Sequence, residues 1–381
     1  MGPIPLSFAY KYKHGLPIHL DVFPPVLRQE TNSKSGLESE RGDQVPAVVF
    51  FHGGGLTVGN RTNWFPTWLK DRTVSSGFAF IAADYQLIPP SSGHDIVEDI
   101  KDLFLFLQND LNKLLQSRSS ESSSGPQYPK FQINTHAIAV SGCSAGGLCA
   151  YLAAMHANPK PAAVVSFYGM GGNFLTPHYF SPKSQVFFRG REMLDPNDFK
   201  EFLHPLSSTL PVISDSPLSY HPSTYMIPGY PSNPRMLLAR LYLQMGVFLD
   251  YYTSLHEPSL SLLIREALTG TPTDQEIKSL KSLVPEEALP LFPQFNISPS
   301  WPPTFLAHGE IDSAVPSKES SHLFSIFKEA GVKATLRIVE GQEHSFDYAK
   351  DANELFGQEG GLYDEVAEFL RQHLRSPIIT N

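Results

Sequence analysis

Short apolar runs alternate along the chain with helical patterns, and this alternation constrains the fold more than any other feature. Four runs are typical of buried strands: "AVVFFHGGG" (47–55), "FAFIAADY" (78–85), "HAIAV" (136–140) and "AAVVSFYG" (162–169). The intervening residues 94–116 carry apolar side chains at helical spacing, and residues 144–157 are also typical of a helix. Buried strands joined by helices predict a mostly parallel sheet that is covered on both faces.

The pattern stops after Gly169 and resumes at "TFLAHGEID" (304–312). A helix is then predicted for residues 317–331, a strand for 334–341 and a closing helix for 362–374. Residues 170–302 are Pro-rich and helical in character, with an apolar stretch at 234–257 and helices expected at 261–270 and 274–284. We therefore expect one α/β core formed by 1–169 and 303–381, with 170–302 inserted as a helical lid.

Three further segments lie outside this alternation. "SFAYKY" and "LPIHLDVF" flank Lys13-His14-Gly15 and predict a β-hairpin. The polar stretches "RQETNSKSGLESERGDQ" (28–44) and "SRSSESSSGP" (117–126) predict surface loops.

Charge and cysteine content exclude several classes of function. The 381 residues carry a net charge of −9 without runs of like charge, which argues against nucleic-acid binding and against attraction to an anionic membrane. No apolar run approaches the ~18 residues of a membrane helix, and "MGPIPLSFAYKYKHG" lacks the pattern of a secretory signal. With only Cys143 and Cys149, a reducing compartment fits best, so we expect a cytoplasmic protein. The oligomeric state is left open.

Ser144 is the first candidate for chemistry. Gly142-Cys143-Ser144-Ala145-Gly146 fits G-x-S-x-G between a predicted strand and a predicted helix. Such a tight turn projects the serine hydroxyl from the sheet, and its small neighbours tolerate the strained backbone. The N–H of Ala145, at the start of the helix, would point to where an oxyanion forms.

A glycine-rich segment, "HGGGL" (52–56), ends an upstream strand. Consecutive glycines leave backbone N–H groups free to donate to a developing negative charge. We expect His52 to hydrogen-bond loop backbone, and the same is expected of His308.

A serine nucleophile needs a base and an orienting acid. His344 and Asp312 each follow a predicted strand, so both are expected at the sheet edge beside Ser144, in the chain order Ser, Asp, His. Glu310 and Asp347 are competing acids. No Cys/His cluster has metal-ligand spacing and no G-x-G-x-x-G follows a strand, so neither a metal nor another cofactor is implied.

Together, "HGGG", "ADYQLIPP", "GCSAGG", "HGEIDSAVP" and "EHSF" resemble the hormone-sensitive-lipase-like, carboxylesterase branch of the α/β-hydrolase fold. The resemblance implies Ser144 as nucleophile, His344 as base and Asp312 as orienter. By position it implies an oxyanion hole of Gly54, Gly55 and Ala145, with supporting motif residues His52, Gly53, Gly142 and Gly146. The chain departs from the pattern at Cys143, where these relatives usually have an acid, and in the length of its insertion.

The function predicted from these residues is hydrolysis of a carboxylic ester of an apolar, medium-sized substrate through an acyl-enzyme. The substrate size follows from aromatic residues in the insertion, most of which we expect to pack into its core: Phe180, Phe187, Phe188, Tyr242, Phe248, Tyr251 and Tyr252. Acyl transfer, condensation or lyase chemistry on a biosynthetic intermediate is the main alternative, and a non-catalytic ligand-binding receptor is the third. Cys143 is either a small packing group or a residue that retunes the pocket.

Overall fold

The computed structural model describes residues 5–26, 44–121, 130–227, 229–268 and 280–375. Its centre is an eight-stranded sheet with the order β1-β2-β4-β3-β5-β6-β7-β8. The strands are β1 (Leu6–Lys13), β2 (Leu16–Phe23), β3 (Gln44–Phe51), β4 (Ala79–Ala83), β5 (Gln132–Cys143), β6 (Ala163–Phe167), β7 (Thr304–Gly309) and β8 (Ala334–Val339). Strands β1 and β2 form an antiparallel hairpin, and β2 also pairs antiparallel with β4. From β4 onward in the sheet order, through β3 and β5 to β8, all neighbouring strands pair parallel. The predicted mostly parallel sheet is confirmed.

Helices cover both faces of the sheet, and successive side chains of β3 point alternately into the two cores that result. Val49 and Phe51 pack in the same core as residues of α2 and α4, whereas Val48 and Phe50 share the other core with α1 and α11. The helices are α1 (Thr67–Ser75), α2 (Gly93–Asn109), α3 (Leu111–Glu121), α4 (Ala145–His156), α5 (Pro177–Phe180), α6 (Arg235–Met245), α7 (Phe248–Thr253), α8 (Leu260–Ala267), α9 (Lys318–Glu329), α10 (Ala352–Phe356) and α11 (Leu362–Leu374).

Two helical predictions need correction. The pattern over 94–116 predicted one helix, but the chain turns at Asp110, where α2 ends and α3 begins. Helix α3 then continues to Glu121, so the loop expected from residue 117 is wrong for its first five residues. The rest of that loop, most of the loop at 28–44 and most of the helix at 274–284 lie outside the described residues.

Residues 170–302, called the insertion below, connect β6 to β7. The apolar stretch at 234–257 forms α6 and α7, which are separated by Gly246 in the left-handed region (φ 68°). A side chain at Gly246 would meet the backbone of Pro182, so glycine is required there for both conformation and space. The insertion also contains 3-10 turns at Pro196–Phe202, Leu206–Thr209, Lys281–Leu283, Leu289–Leu291 and Pro293–Phe295.

None of the helices within the described ranges is long and apolar enough to cross a membrane.

Candidate active site

Ser144 stands on a sharp turn between β5 and α4, with φ 54° and ψ −120°. The neighbouring glycines are needed for space. A Cβ on Gly142 would lie 2.0 Å from the Gly146 carbonyl oxygen, and one on Gly146 would lie 2.0 Å from the Phe51 carbonyl oxygen. The G-x-S-x-G pattern therefore follows from the packing of the turn against β3 and against itself.

The structure brings Ser144, His344 and Asp312 together, although 200 residues separate the serine from the histidine. The Ser144 Oγ lies 3.0 Å from His344 Nε2, and His344 Nδ1 lies 2.6 Å from Asp312 Oδ2. Because an ionised carboxylate only accepts hydrogen bonds, Nδ1 carries the imidazole proton. This leaves Nε2 as the acceptor for the serine hydroxyl, which is the tautomer that a general base requires.

Asp312 is held in place from several sides. The N–H groups of Ala314 and Val315 each donate to its Oδ1 at 2.9 Å, and His308 Nε2 lies 3.2 Å from Oδ2. Burial would raise the pKa of Asp312, but hydrogen bonds from His308 and His344 hold it well below its ordinary value. Asp312 therefore stays ionised beside His344 at neutral pH.

His308 hydrogen-bonds loop backbone, as the sequence predicted, through Nε2 to the Val315 carbonyl oxygen at 2.8 Å. Its contact with Asp312 was not foreseen. His308 lies near the end of β7 and Asp312 lies in the loop that follows, and no spacing rule relates a strand histidine to a carboxylate four positions later.

The competing acids lie elsewhere. Glu310 is exposed and accepts a hydrogen bond from the N–H of Gly341. Asp347 is buried and accepts from the hydroxyl of Tyr168 and from Trp68 Nε1 at 3.2 Å. Burial raises the pKa of Asp347 to about 6, against those two hydrogen bonds. Asp347 thus fixes Tyr168, whose ring packs edge-on against His344 at 4.6 Å between centroids.

The glycine loop (52–55) lies directly against the serine turn. A Cβ on Gly53 would be 3.5 Å from the Ser144 Cβ, and Gly54 and Gly55 both have positive φ (108° and 61°). His52 anchors the loop, with Nδ1 2.7 Å from the Gly53 carbonyl oxygen and its ring stacked on Tyr85. Burial lowers the pKa of His52 to about 4, so the ring is neutral.

The N–H groups of Gly54, Gly55 and Ala145 donate to no acceptor within the part of the chain that the structure describes. They are backbone donors that remain available near Ser144. Donors of this kind can stabilise the negative charge of a tetrahedral intermediate.

Cys143 packs beneath the serine turn. It is 3% exposed, and its Sγ lies 3.7 Å from the Tyr348 hydroxyl. Burial, followed by the nearby charge of Asp347, raises the pKa of the Cys143 thiol to about 12. Cys143 therefore remains a neutral thiol, which agrees with a packing role.

Ser144 and His344 open onto a cavity of about 440 Å³, and the insertion supplies much of its wall. Of the aromatic residues singled out in the insertion, Phe188 and Phe248 line the cavity, whereas Tyr242 and Tyr251 stack on each other 3.8 Å apart. Sequence reasoning missed the charged side chains of this wall, which include Arg189, Arg191, Glu192 and Arg240. Within the described ranges, no cluster of three or more His, Cys, Asp or Glu is arranged to bind a metal ion.

Comparisons with known proteins agree with this architecture. The profile of a family described as alpha/beta hydrolase fold matches residues 48–219. A probable carboxylesterase of Phoma sp. is 28% identical over 164 residues, which are 42% of this chain and 46% of that protein. A non-reducing polyketide synthase of Aspergillus calidoustus is 26% identical over 346 residues, which are 88% of this chain but only 13% of the synthase. The chain thus spans less than half of the length of either relative.

Two solved structures superpose over almost the whole chain. An esterase from Thermogutta terrifontis has a TM-score of 0.53 at 17% identity and covers 99% of this chain and 95% of its own. An alpha/beta hydrolase superfamily protein from Enterococcus faecalis has a TM-score of 0.56 at 16% identity and covers 97% and 99%. The sheet order, the serine turn and these similarities together show that the chain has the α/β-hydrolase fold.

Proposed function

We propose that the protein is a serine hydrolase that cleaves carboxylic esters through an acyl-enzyme intermediate. The observation that carries the proposal is the continuous hydrogen-bonded relay from Ser144 Oγ through His344 to Asp312, with distances of 3.0 and 2.6 Å. A serine alcohol is a weak nucleophile unless a base removes its proton as it attacks.

In the proposed mechanism, Ser144 Oγ attacks the ester carbonyl carbon while His344 Nε2 takes the hydroxyl proton. The carbonyl oxygen becomes an oxyanion that accepts hydrogen bonds from the N–H groups of Gly54, Gly55 and Ala145. His344 then protonates the departing alcohol as the carbon–oxygen bond breaks. Water, activated by His344, attacks the acyl-enzyme in the same way and releases the carboxylic acid.

Asp312 stabilises the imidazolium form of His344 and does not itself need to accept the proton. The hydrogen bonds that keep the pKa of Asp312 low support this assignment. We propose that residues 170–302 form the lid over the core of 1–169 and 303–381, and the insertion residues that line the same cavity as Ser144 support this division. The two free, buried cysteines agree with the cytoplasm as the proposed compartment.

The test is reaction with a fluorophosphonate probe, followed by mass spectrometry of the adduct. The proposal expects one adduct on Ser144, lost in Ser144→Ala and strongly reduced in His344→Ala. Ser325→Ala is the matched control, since Ser325 is an exposed serine on α9. A folded protein that takes up no probe at Ser144 would contradict the proposal and favour a ligand-binding receptor.

Acyl transfer or condensation on a biosynthetic intermediate is a second candidate that a specific observation favours. The similarity to the polyketide synthase covers 88% of the chain and so includes most of the insertion, whereas the carboxylesterase match covers 42%. Such a reaction uses the same acyl-enzyme, but an acceptor other than water attacks it. A fast burst of p-nitrophenol from an ester, followed by negligible turnover until an alcohol or thiol acceptor is added, would favour transfer over hydrolysis.

A further inference from the structure

Among the described residues, three arginines of the insertion contribute to the wall of the cavity that Ser144 also lines. Arg189, Arg191 and Arg240 line the cavity, and Glu192 is the one carboxylate in its lining within the described part of the chain. The chain as a whole is acidic, with a net charge of −9. A positively charged wall beside the candidate nucleophile is therefore a local arrangement that the overall composition does not produce.

Arg240 is the most informative of the three because it is buried. The residue is 6% exposed, and its Nη2 lies 3.2 Å from Glu192 Oε1. Its Nε is also buried but has no hydrogen-bond partner among the described residues. A buried N–H without a partner is costly and rare in native proteins, so an acceptor on a bound molecule would complete the hydrogen bonding of Arg240.

The helix that carries Arg240 is fixed against the proposed oxyanion donors. Ala239, the preceding residue, packs so closely that a Cβ added to Gly55 would lie 2.2 Å from its Cβ. Arg189 is tied to the other side of the site, since its backbone N–H donates to the Ser313 Oγ at 2.9 Å. Ser313 directly follows Asp312 in sequence. Both arginines therefore come from segments that are anchored to the candidate catalytic loops.

We infer that the arginine wall binds an anionic group of the substrate, so that the protein acts on esters or thioesters that carry a carboxylate or a phosphate. This inference rests on the proposed serine hydrolase function and names its substrate class. A guanidinium presents a planar fork of N–H donors that matches the oxygens of carboxylates and phosphates. An anionic group on the substrate differs from the apolar, medium-sized substrate that the aromatic residues of the insertion suggested from sequence.

The experiment compares two matched substrate pairs, because the anion can lie on the acyl side or on the leaving group. The first pair is p-nitrophenyl hydrogen adipate and its neutral methyl ester. The second pair is butyryl-coenzyme A and the butyryl thioester of N-acetylcysteamine, which lacks the phosphates. We expect kcat/KM to favour the anionic member of at least one pair by about tenfold or more, as a charge-assisted hydrogen bond implies. The pair that shows the preference identifies the position of the anion.

The kcat/KM preference for the anionic substrate should fall toward unity in Arg240→Gln. It should decrease only in part in Arg189→Gln, because the Arg189 side chain is exposed in the native protein. Lys113→Gln is the matched charge control, since Lys113 is exposed on α3 and remote from the cavity lining, and the preference should persist. Equal kcat/KM within both pairs for the wild type would overturn the inference. So would a preference that survives in both arginine variants.

Binding measurements separate this inference from the proposed function. If no substrate is turned over, hydrolysis fails as a function, but the Ser144→Ala variant can still be titrated calorimetrically with butyryl-coenzyme A and with monomethyl adipate. Binding of either compound that weakens about tenfold or more on adding Arg240→Gln supports the anion site. Binding of neither compound, or binding indifferent to Arg240, overturns it.

Discussion

Gly55→Ala is expected to remove most of the activity, and Ala239→Gly is expected to restore much of it. Gly55 has a φ of 61°, and an added Cβ would lie 2.2 Å from the Cβ of Ala239 on α6. Carbon atoms normally approach to about 3.5 Å, so the glycine loop or α6 must move by roughly 1.3 Å. The left-handed backbone adds about 1–2 kcal/mol of strain for alanine.

A movement of that size would misplace the N–H groups proposed for the oxyanion hole, which act only within a narrow range of distance. Loss of one such donor lowers kcat by about 10²–10³-fold. Replacing Ala239 by glycine removes the clashing methyl group, after which the nearest atoms are the Ala239 Cα at 3.7 Å and the Thr57 Oγ1 at 4.0 Å. Those are ordinary contacts, so the double variant should recover to within roughly tenfold of the wild-type kcat, with the backbone strain still present.

The assay is steady-state hydrolysis of p-nitrophenyl butyrate by both single variants and the double variant, with thermal unfolding followed by circular dichroism. Gly15→Ala is the matched control, because Gly15 also has positive φ (83°) but a Cβ there meets nothing within 4 Å. It should lower stability by about 1–2 kcal/mol without changing kcat. A kcat for Gly55→Ala within threefold of wild type, or a loss that Ala239→Gly does not restore at all, would refute the proposed role of the contact between Gly55 and Ala239.

Three further predictions address the acids. Asp312→Asn should lower kcat by about 10³–10⁴-fold, whereas Glu310→Gln should leave kcat unchanged. A similar loss in both variants would contradict the role of Asp312 as the acid that orients His344. Burial raises the pKa of Glu319 to about 8, so between pH 5 and 8 the folded protein binds a proton at this residue that the unfolded chain has released. The melting temperature should therefore fall from pH 5 to 8 more steeply in wild type than in Glu319→Gln. Cys143→Asp should lower the free energy of unfolding by about 3 kcal/mol, because it places a second acid near buried Asp347. Adding Asp347→Asn to this variant should restore part of the lost melting temperature.

The parallel core was predictable because its signals are local. Buried strands of β-branched and aromatic residues, helices with apolar stripes and a hairpin turn at Lys13-His14-Gly15 each depend on neighbouring residues. The break at Asp110 was not predictable from periodicity, since the apolar spacing continues across it into α3. The two helices are separated by non-helical backbone at Asp110 (φ −123°), and beyond it Leu111 and Leu115 are buried whereas Leu114 is 37% exposed.

Around the site, sequence analysis identified residues that must occupy special backbone positions, and it missed residues that act through space. Ser144 and the glycines around it were recognisable because a strained turn permits few residue types. Asp347 was recognised only as a competing acid, and neither its hydrogen bond with Tyr168 nor the place of Arg240 at the cavity gave such a signal. Their positions follow from how β6, the loop after β8 and α6 meet, and side chains of these types also occur on ordinary protein surfaces.

The sequence by itself determined the order of strands and helices, the tight turn at Ser144 and the residue types that can follow the strands, because these depend on steric limits and periodicity within a few residues. His344 and Asp312 were predicted from their places after strands and from the resemblance, but only the tertiary structure shows the distances that join them to Ser144. It also places a buried Arg240 at the cavity, with an Nε that has no partner among the described residues. Those outcomes depend on the packing of segments far apart in the chain, and that packing determines the distances and the burial that set hydrogen bonds and pKa values.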